Sequence, residues 1–174
     1  MLTLADGSVG AFGGGIGNRG GSNYAGPVFR PEVLRADGRW HAAANAAEER
    51  TYHAFALLLS DGRVLTAGDD RRSHEAPGDR GLEVYSPPYL FRGARPRVTS
   101  VTSRVGYGGS ITIATPDAAR VERAVLMAPS SVTHATDMSA RSIALRFAPA
   151  ADGGLVATAP AGADLRRPGA TCSW

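Results

Sequence analysis

Apolar residues in this chain fall in short runs, and Gly, Pro, Asp or Asn interrupts nearly every one. Sustained 3.6-residue periodicity is nearly absent. The Ala-rich patch from Ala42 to Glu49 has the composition for one helical turn, but Asn45 interrupts it and no apolar stripe runs along it. Short strands punctuated by turn residues predict an all-β fold.

Within that pattern an internal repeat is visible. Leu4-Ala5-Asp6-Gly7-Ser8-Val9 leads into Phe12-Gly13-Gly14, and Leu59-Ser60-Asp61-Gly62-Arg63-Val64 leads into Ala67-Gly68-Asp69. Each reads as a strand, an Asp-Gly turn, a second strand and a Gly-rich exit. Asp-Gly predicts a two-residue hairpin turn with φ > 0 at both central residues. Val33 to Trp40 reads as a further hairpin around Asp37-Gly38. The two repeat units lie 55 positions apart, and a period of about 50 residues with Gly-rich exits is the kelch type of β-propeller repeat. Closed propellers have typically four to eight blades. One or two blades leave sheet edges uncovered, so residues 1–86 read as the end of a larger propeller.

That signal stops near residue 90. Ser86-Pro87-Pro88-Tyr89-Leu90 and Arg92-Gly93-Ala94-Arg95-Pro96 cannot lie in a central strand, because Pro removes ladder donors. Residues 87–96 are expected to be a linker. Beyond it, the runs 97–101, 110–114, 123–128, 142–147 and 154–159 predict short strands of a β-sandwich over residues 97–174.

Composition narrows the function classes. The 174 residues are 43% hydrophobic and 20% charged, with a formal net charge of +3. All 19 basic residues are Arg, and they are scattered rather than clustered with aromatics. The basic pI therefore does not point to nucleic acid. No apolar stretch approaches the roughly 20 residues of a membrane span, and no signal-peptide pattern opens the chain. The single cysteine, Cys172, cannot form an internal disulfide.

Candidate chemistry rests on the histidines. His74 lies in a charged loop and His41 near a strand end, where solvated roles are expected. His53 follows Tyr52 directly before an apolar strand, and His134 sits in the polar loop Ser131–Asp137. Neighbours in a regular strand face opposite ways, so Tyr52 and His53 can share a ligand only if the chain bends there. From spacing alone, Tyr52, His53 and His134 are candidates for one metal site.

At these residues the chain resembles a known family. Arg50-Thr51-Tyr52-His53, Ala56-Leu57-Leu58-Leu59 and Asp61-Gly62-Arg63-Val64 are similar to the last-blade motif of the galactose oxidase and glyoxal oxidase family. Glu83 to Gly93 is similar to its domain junction. Val105-Gly106-Tyr107-Gly108 and Ser131 to Met138 are similar to its immunoglobulin-like "early set" domain. The resemblance covers most of residues 1–169. It implies the end of a kelch propeller joined to that sandwich, in a copper radical oxidase. Such enzymes oxidise a primary alcohol, aldehyde or carbohydrate with O₂, giving H₂O₂, and are secreted or held at the cell surface. It implies Tyr52 as axial copper ligand and acceptor of the substrate proton, with His53 and His134 as equatorial ligands.

The departures carry expectations of their own. The family's second tyrosine, cross-linked to a cysteine as the radical cofactor, has no match here. Cys172 follows the last family motif, and Tyr24, Tyr85, Tyr89 and Tyr107 do not occupy the position. Ser139-Ala140-Arg141 stands where the family usually has Gln before Arg. After Pro168-Gly169 the family continues into a final strand, whereas this chain reads Ala-Thr-Cys-Ser-Trp, as a frameshift of Gly-Tyr-Met-Leu codons would. A sandwich lacking its last strand, inactive without an upstream propeller fragment, is expected. Two other readings remain open: a non-catalytic module binding a glycan or protein, and a pseudogene product.

Overall fold

The computed structural model describes residues 1–19, 22–68, 81–133 and 136–162. In chain order the strands are β1 (Leu2–Thr3), β2 (Val9–Ala11), β3 (Gly15–Arg19), β4 (Ser22–Pro27), β5 (Glu32–Leu34), β6 (Trp40–Ala42), β7 (Phe55–Leu58), β8 (Val64–Ala67) and β9 (Glu83–Tyr85). They continue with β10 (Ser100–Val101), β11 (Ser110–Ala114), β12 (Ala124–Met127), β13 (Val132–Thr133), β14 (Thr136–Asp137), β15 (Ser142–Leu145), β16 (Phe147–Pro149) and β17 (Leu155–Thr158). The fold is all-β, as the pattern predicts. Among the described residues no helix is long and apolar enough to cross a membrane.

The chain divides into two compact units, residues 1–92 with 128–141, and residues 93–127 with 142–174. In the first unit, β1-β2-β5-β6 form a four-stranded antiparallel sheet, with the β3–β4 hairpin inserted between β2 and β5. β7-β8-β9 form an antiparallel meander. Such up-and-down sheets are the form of propeller blades. The β3–β4 hairpin is missing from the strand pattern of the sequence because its Gly-rich run shows no apolar alternation.

One core joins both sheets. Leu2, Leu4, Val33 and Val64 are buried together, with Phe12, Ala56, Leu58, Tyr85 and Tyr89 packed on them. Phe12 and Tyr85 meet edge to face at 5.6 Å, a favoured aromatic geometry. Burial raises the Tyr85 hydroxyl above its ordinary pKa.

The second unit is built of the antiparallel sheet β10-β11-β17-β16 and the pair β12-β15. β17 alternates strictly, with Leu155 and Ala157 buried and Val156 and Thr158 exposed, as one-sided burial requires. Ile111, Ala157 and Ala159 form its core, joined by Ile113, Leu145 and Phe147. Leu145 comes from β15, so both sheets contribute to this core. The expected loss of a last strand falls on residues 163–174, outside the described residues.

One sequence expectation needs correction. The Asp-Gly turns are not two-residue turns. Gly7 N–H donates to the Leu4 carbonyl (2.9 Å) and Leu4 N–H to the Ser8 carbonyl (2.8 Å), which leaves three residues in the loop. Leu59–Arg63, Arg35–Arg39 and Ala150–Gly154 repeat the same pair of bonds. Only the glycine takes positive φ, for example 86° at Gly62. The aspartate stays right-handed and accepts the backbone N–H two residues on, as Asp61 does from Arg63 at 3.0 Å. This is a type I turn closed by a left-handed glycine bulge, favoured because the Asp side chain mimics a turn hydrogen bond.

The Ala42–Glu49 patch forms no helix; its backbone N–H groups at Ala47 and Glu48 go to the Glu83 carboxylate instead (2.8 and 3.3 Å). Part of the Pro-rich stretch is ordered against the first unit. Pro88–Phe91 is a 3₁₀ turn, Pro87 is fully buried, and the Tyr89 hydroxyl donates to the Gly62 carbonyl.

Candidate functional site

Arg50 to Ala54 leads into β7 and carries the first two candidate residues. The chain turns sharply there. His53 has φ 56°, the only positive value among the described non-glycine residues. That left-handed conformation is uncommon for residues with a Cβ. It brings Tyr52 and His53 to one side, with ring centroids 3.8 Å apart and planes 23° apart. The bend needed for the two to share a ligand is therefore present.

The Gly-rich exits of the repeat grip this segment from both ends. Gly14 N–H donates to the Arg50 carbonyl (2.6 Å). A Cβ on Gly13 would collide with that carbonyl. At the other end, a Cβ on Gly68 would lie 2.5 Å from the His53 carbonyl oxygen and 2.8 Å from Ala54 Cα. Only glycine allows backbone so close. Arg50 itself is buried, 3% exposed, and its guanidinium donates to the Glu49 carbonyl (3.1 Å) and the Gly81 carbonyl (2.9 Å). Its Nη2 lies 3.6 Å from the Glu83 carboxylate.

His134 lies outside the described residues, but the strands on either side of it do not. β13 and β14 pair antiparallel as a hairpin around positions 134 and 135. This hairpin belongs to the first unit and packs against β7. Leu58 N–H on β7 donates to Ser130 Oγ (3.3 Å). Asp137 ties the hairpin base, accepting from Ser131 N–H (3.0 Å) and Ser139 N–H (3.1 Å). The hairpin that bears position 134 is thus fastened to the strand that begins two residues after His53.

The remaining candidates resolve otherwise. His41 pairs with Asp37 at 2.8 Å on the surface. The Arg39 backbone N–H, aided by His41, holds the Asp37 carboxyl below its ordinary pKa. His74 and Cys172 lie outside the described residues. No cluster of three or more His, Cys, Asp or Glu able to hold a metal occurs among the described residues. A phenol and an imidazole with their rings stacked nonetheless offer the donor types that fit copper(II), which takes mixed N and O donors.

Sequence reasoning quoted Arg50, Glu83, Gly13, Gly68 and Asp137 within its motifs but not as supports of this site, and did not single out Ser130. Arg50 stands in the charged segment Glu48-Glu49-Arg50 before an apolar strand. Its burial is visible only once β9 brings Glu83 alongside. The repeated Gly-rich exits and the motif Arg50-Thr51-Tyr52-His53 were the available signals.

Comparison with known proteins gives the site its context. Residues 95–174 match the family model "Galactose oxidase-like, Early set domain". A WSC domain-containing protein of Arthroderma benhamiae is 37% identical over 60% of this chain and 12% of its own length. A galactose oxidase of Gibberella zeae is 31% identical over 68% of this chain and 18% of its own. An aldehyde oxidase of Arabidopsis thaliana is 30% identical over 71% of this chain and 22% of its own. The chain thus spans less than a quarter of each of these relatives. Among solved structures, a fungal alcohol oxidase of the AA5 family, in complex with copper, superposes with a TM-score of 0.74 at 25% identity. That match covers 92% of this chain and 35% of the other.

Proposed function

From this kinship with the galactose oxidase and glyoxal oxidase family, carried in residues 95–174 by the early set domain they match, we propose that the chain is the C-terminal part of a copper radical oxidase. The parent enzyme oxidises a primary alcohol or aldehyde with O₂ and releases H₂O₂ outside the cell or at its surface. Residues 1–86 are the end of its kelch propeller, 87–96 the connection, and 97–174 the early set domain.

Tyr52, His53 and His134 are the residues that would hold copper. The observation that carries this reading is the convergence of Tyr52 and His53, stacked at the entrance to β7, with a hairpin around position 134 packed on that same strand. Copper bound there supplies the redox chemistry and lowers the pKa of oxygen acids it coordinates. Tyr52 Oη is the atom that receives the substrate hydroxyl proton. The turn at His53, where the two rings stack, supports the pairing of phenol and imidazole, and on this reading the third donor would come from the segment between β13 and β14. The cross-linked cysteine and tyrosine are not among these 174 residues, so the chain does not turn over by itself and needs the preceding blades.

Titration with Cu(II), read by calorimetry and electron paramagnetic resonance, tests the site. One tetragonal centre with nitrogen coupling is expected, weakened by Tyr52→Phe and abolished by His53→Ala or His134→Ala. Copper binding indifferent to all three substitutions would overturn the assignment and favour a non-catalytic binding module.

A further inference from the structure

We infer that Arg50 is the positioning residue for the Tyr52–His53 pair, its buried guanidinium fixing the turn that stacks the two rings. The inference rests on the reading of that pair as the ligand-bearing turn. Arg is rarely buried fully, and desolvating its charge is costly unless the charge is paired and hydrogen-bonded. Here the fork of N–H donors reaches separate pieces of chain: the Glu49 carbonyl within its own loop, the Gly81 carbonyl before β9, and the Glu83 carboxylate on β9. Its Nε is buried with no acceptor among the described residues.

Glu83 in turn accepts the N–H groups of Ala47 and Glu48. The pairing of buried Arg50 with the partly buried Glu83 therefore gathers the approach to the turn, residues 47–50, onto β9. The Arg50 carbonyl is held by Gly14 N–H, and three residues later the His53 carbonyl abuts Gly68. The backbone between these two anchors is too short to relax independently, so the 56° φ of His53 follows from where Arg50 is fastened. Stability alone does not call for this arrangement, since a desolvated ion pair is often replaceable by apolar residues without loss. What an apolar residue cannot supply is a planar fork reaching several acceptors at once.

The test uses the full chain with Arg50→Met, Arg50→Lys and Glu83→Gln. Three properties are measured on each: thermal unfolding, the His53 ring proton resonances assigned through His53→Gln, and Cu(II) affinity. In the parent chain, stacking on Tyr52 is expected to displace the His53 ring protons upfield. Arg50→Met is expected to lose that displacement while the His41 resonances stay in place, and Arg50→Lys to restore it only in part. Copper affinity falls on the order of tenfold, as for other residues that orient metal ligands.

A folded Arg50→Met chain with unchanged His53 resonances would overturn the inference. If that variant does not fold, Glu83→Gln decides in the same way. It keeps one oxygen acceptor where the two loop N–H groups use both Glu83 oxygens, and it removes the charge that holds Arg50. A parent chain that binds no copper sinks the metal reading alone, because the ring resonances still report on Arg50.

Discussion

A Cβ atom placed on Gly68 falls 2.5 Å from the carbonyl oxygen of His53. Gly68 also sits at φ 93°, so Gly68→Ala meets two penalties, the left-handed backbone and the collision. Gly38, at φ 73° with open space around its Cβ position, meets only the first. Gly38→Ala is expected to cost about 1–2 kcal/mol. Gly68→Ala is expected to cost more and to shift the His53 ring resonances, which Gly38→Ala leaves alone. Urea unfolding of the two variants, with histidine spectra, checks the contrast.

The base of the β13–β14 hairpin depends on the Asp137 carboxylate, which takes two backbone N–H groups. Asp137→Ala leaves both donors without their acceptor, and Asp137→Asn keeps one acceptor oxygen. If the hairpin delivers His134 to Tyr52 and His53, Asp137→Ala weakens copper binding on the order of tenfold and Asp137→Asn weakens it less. Calorimetric titration of both variants distinguishes this from a purely local effect, which would leave the affinity at the parent value.

Three surface carboxyls titrate below their ordinary range: Asp61 and Asp37, each held chiefly by the backbone N–H two residues on, and Asp117, held chiefly by Arg97 N–H. A group with a depressed folded pKa stabilises the fold above its unfolded pKa, about 3.9 for Asp. That contribution is lost as pH falls through the folded value. The urea midpoint should therefore fall on acidification below about pH 5. Asp61→Asn retains the turn acceptor without the charge. It should show a shallower acid dependence than the parent while unfolding similarly at neutral pH.

Leu4 is 1% exposed at the centre of the first unit's core, directly before the first Asp-Gly turn. Leu4→Ala is expected to cost about 2–5 kcal/mol. Val156, on the outward face of β17 and 38% exposed, is the control, and Val156→Ala should change stability far less. Chemical denaturation midpoints measure both.

Much of this architecture was legible in local pattern. Strand 110–114 and the cores of the runs 123–128 and 154–159 form where alternation and turn residues predict them, because period-2 burial and Asp-Gly chemistry act over a few residues. The motif Arg50-Thr51-Tyr52-His53 and the loop Ser131 to Asp137 were likewise readable as candidate chemistry from residue type and resemblance. The strands β3 and β4 were not, since a Gly-rich run carries no side-chain alternation to read.

The geometry of the turn belongs to the tertiary structure alone. That Tyr52 and His53 stack instead of facing opposite ways depends on a left-handed φ at His53, in a segment that Gly13, Gly14 and Gly68 approach closely from outside it. The burial of Arg50 depends on Glu83, 33 positions away. The fastening of the β13–β14 hairpin to β7 crosses 72 positions, from Leu58 to Ser130. Sequence by itself determined which residues are candidates for chemistry and where most of the short strands lie. Only long-range packing decided which of those residues meet, because close backbone approach and a buried charge exist only once separate strands are brought together.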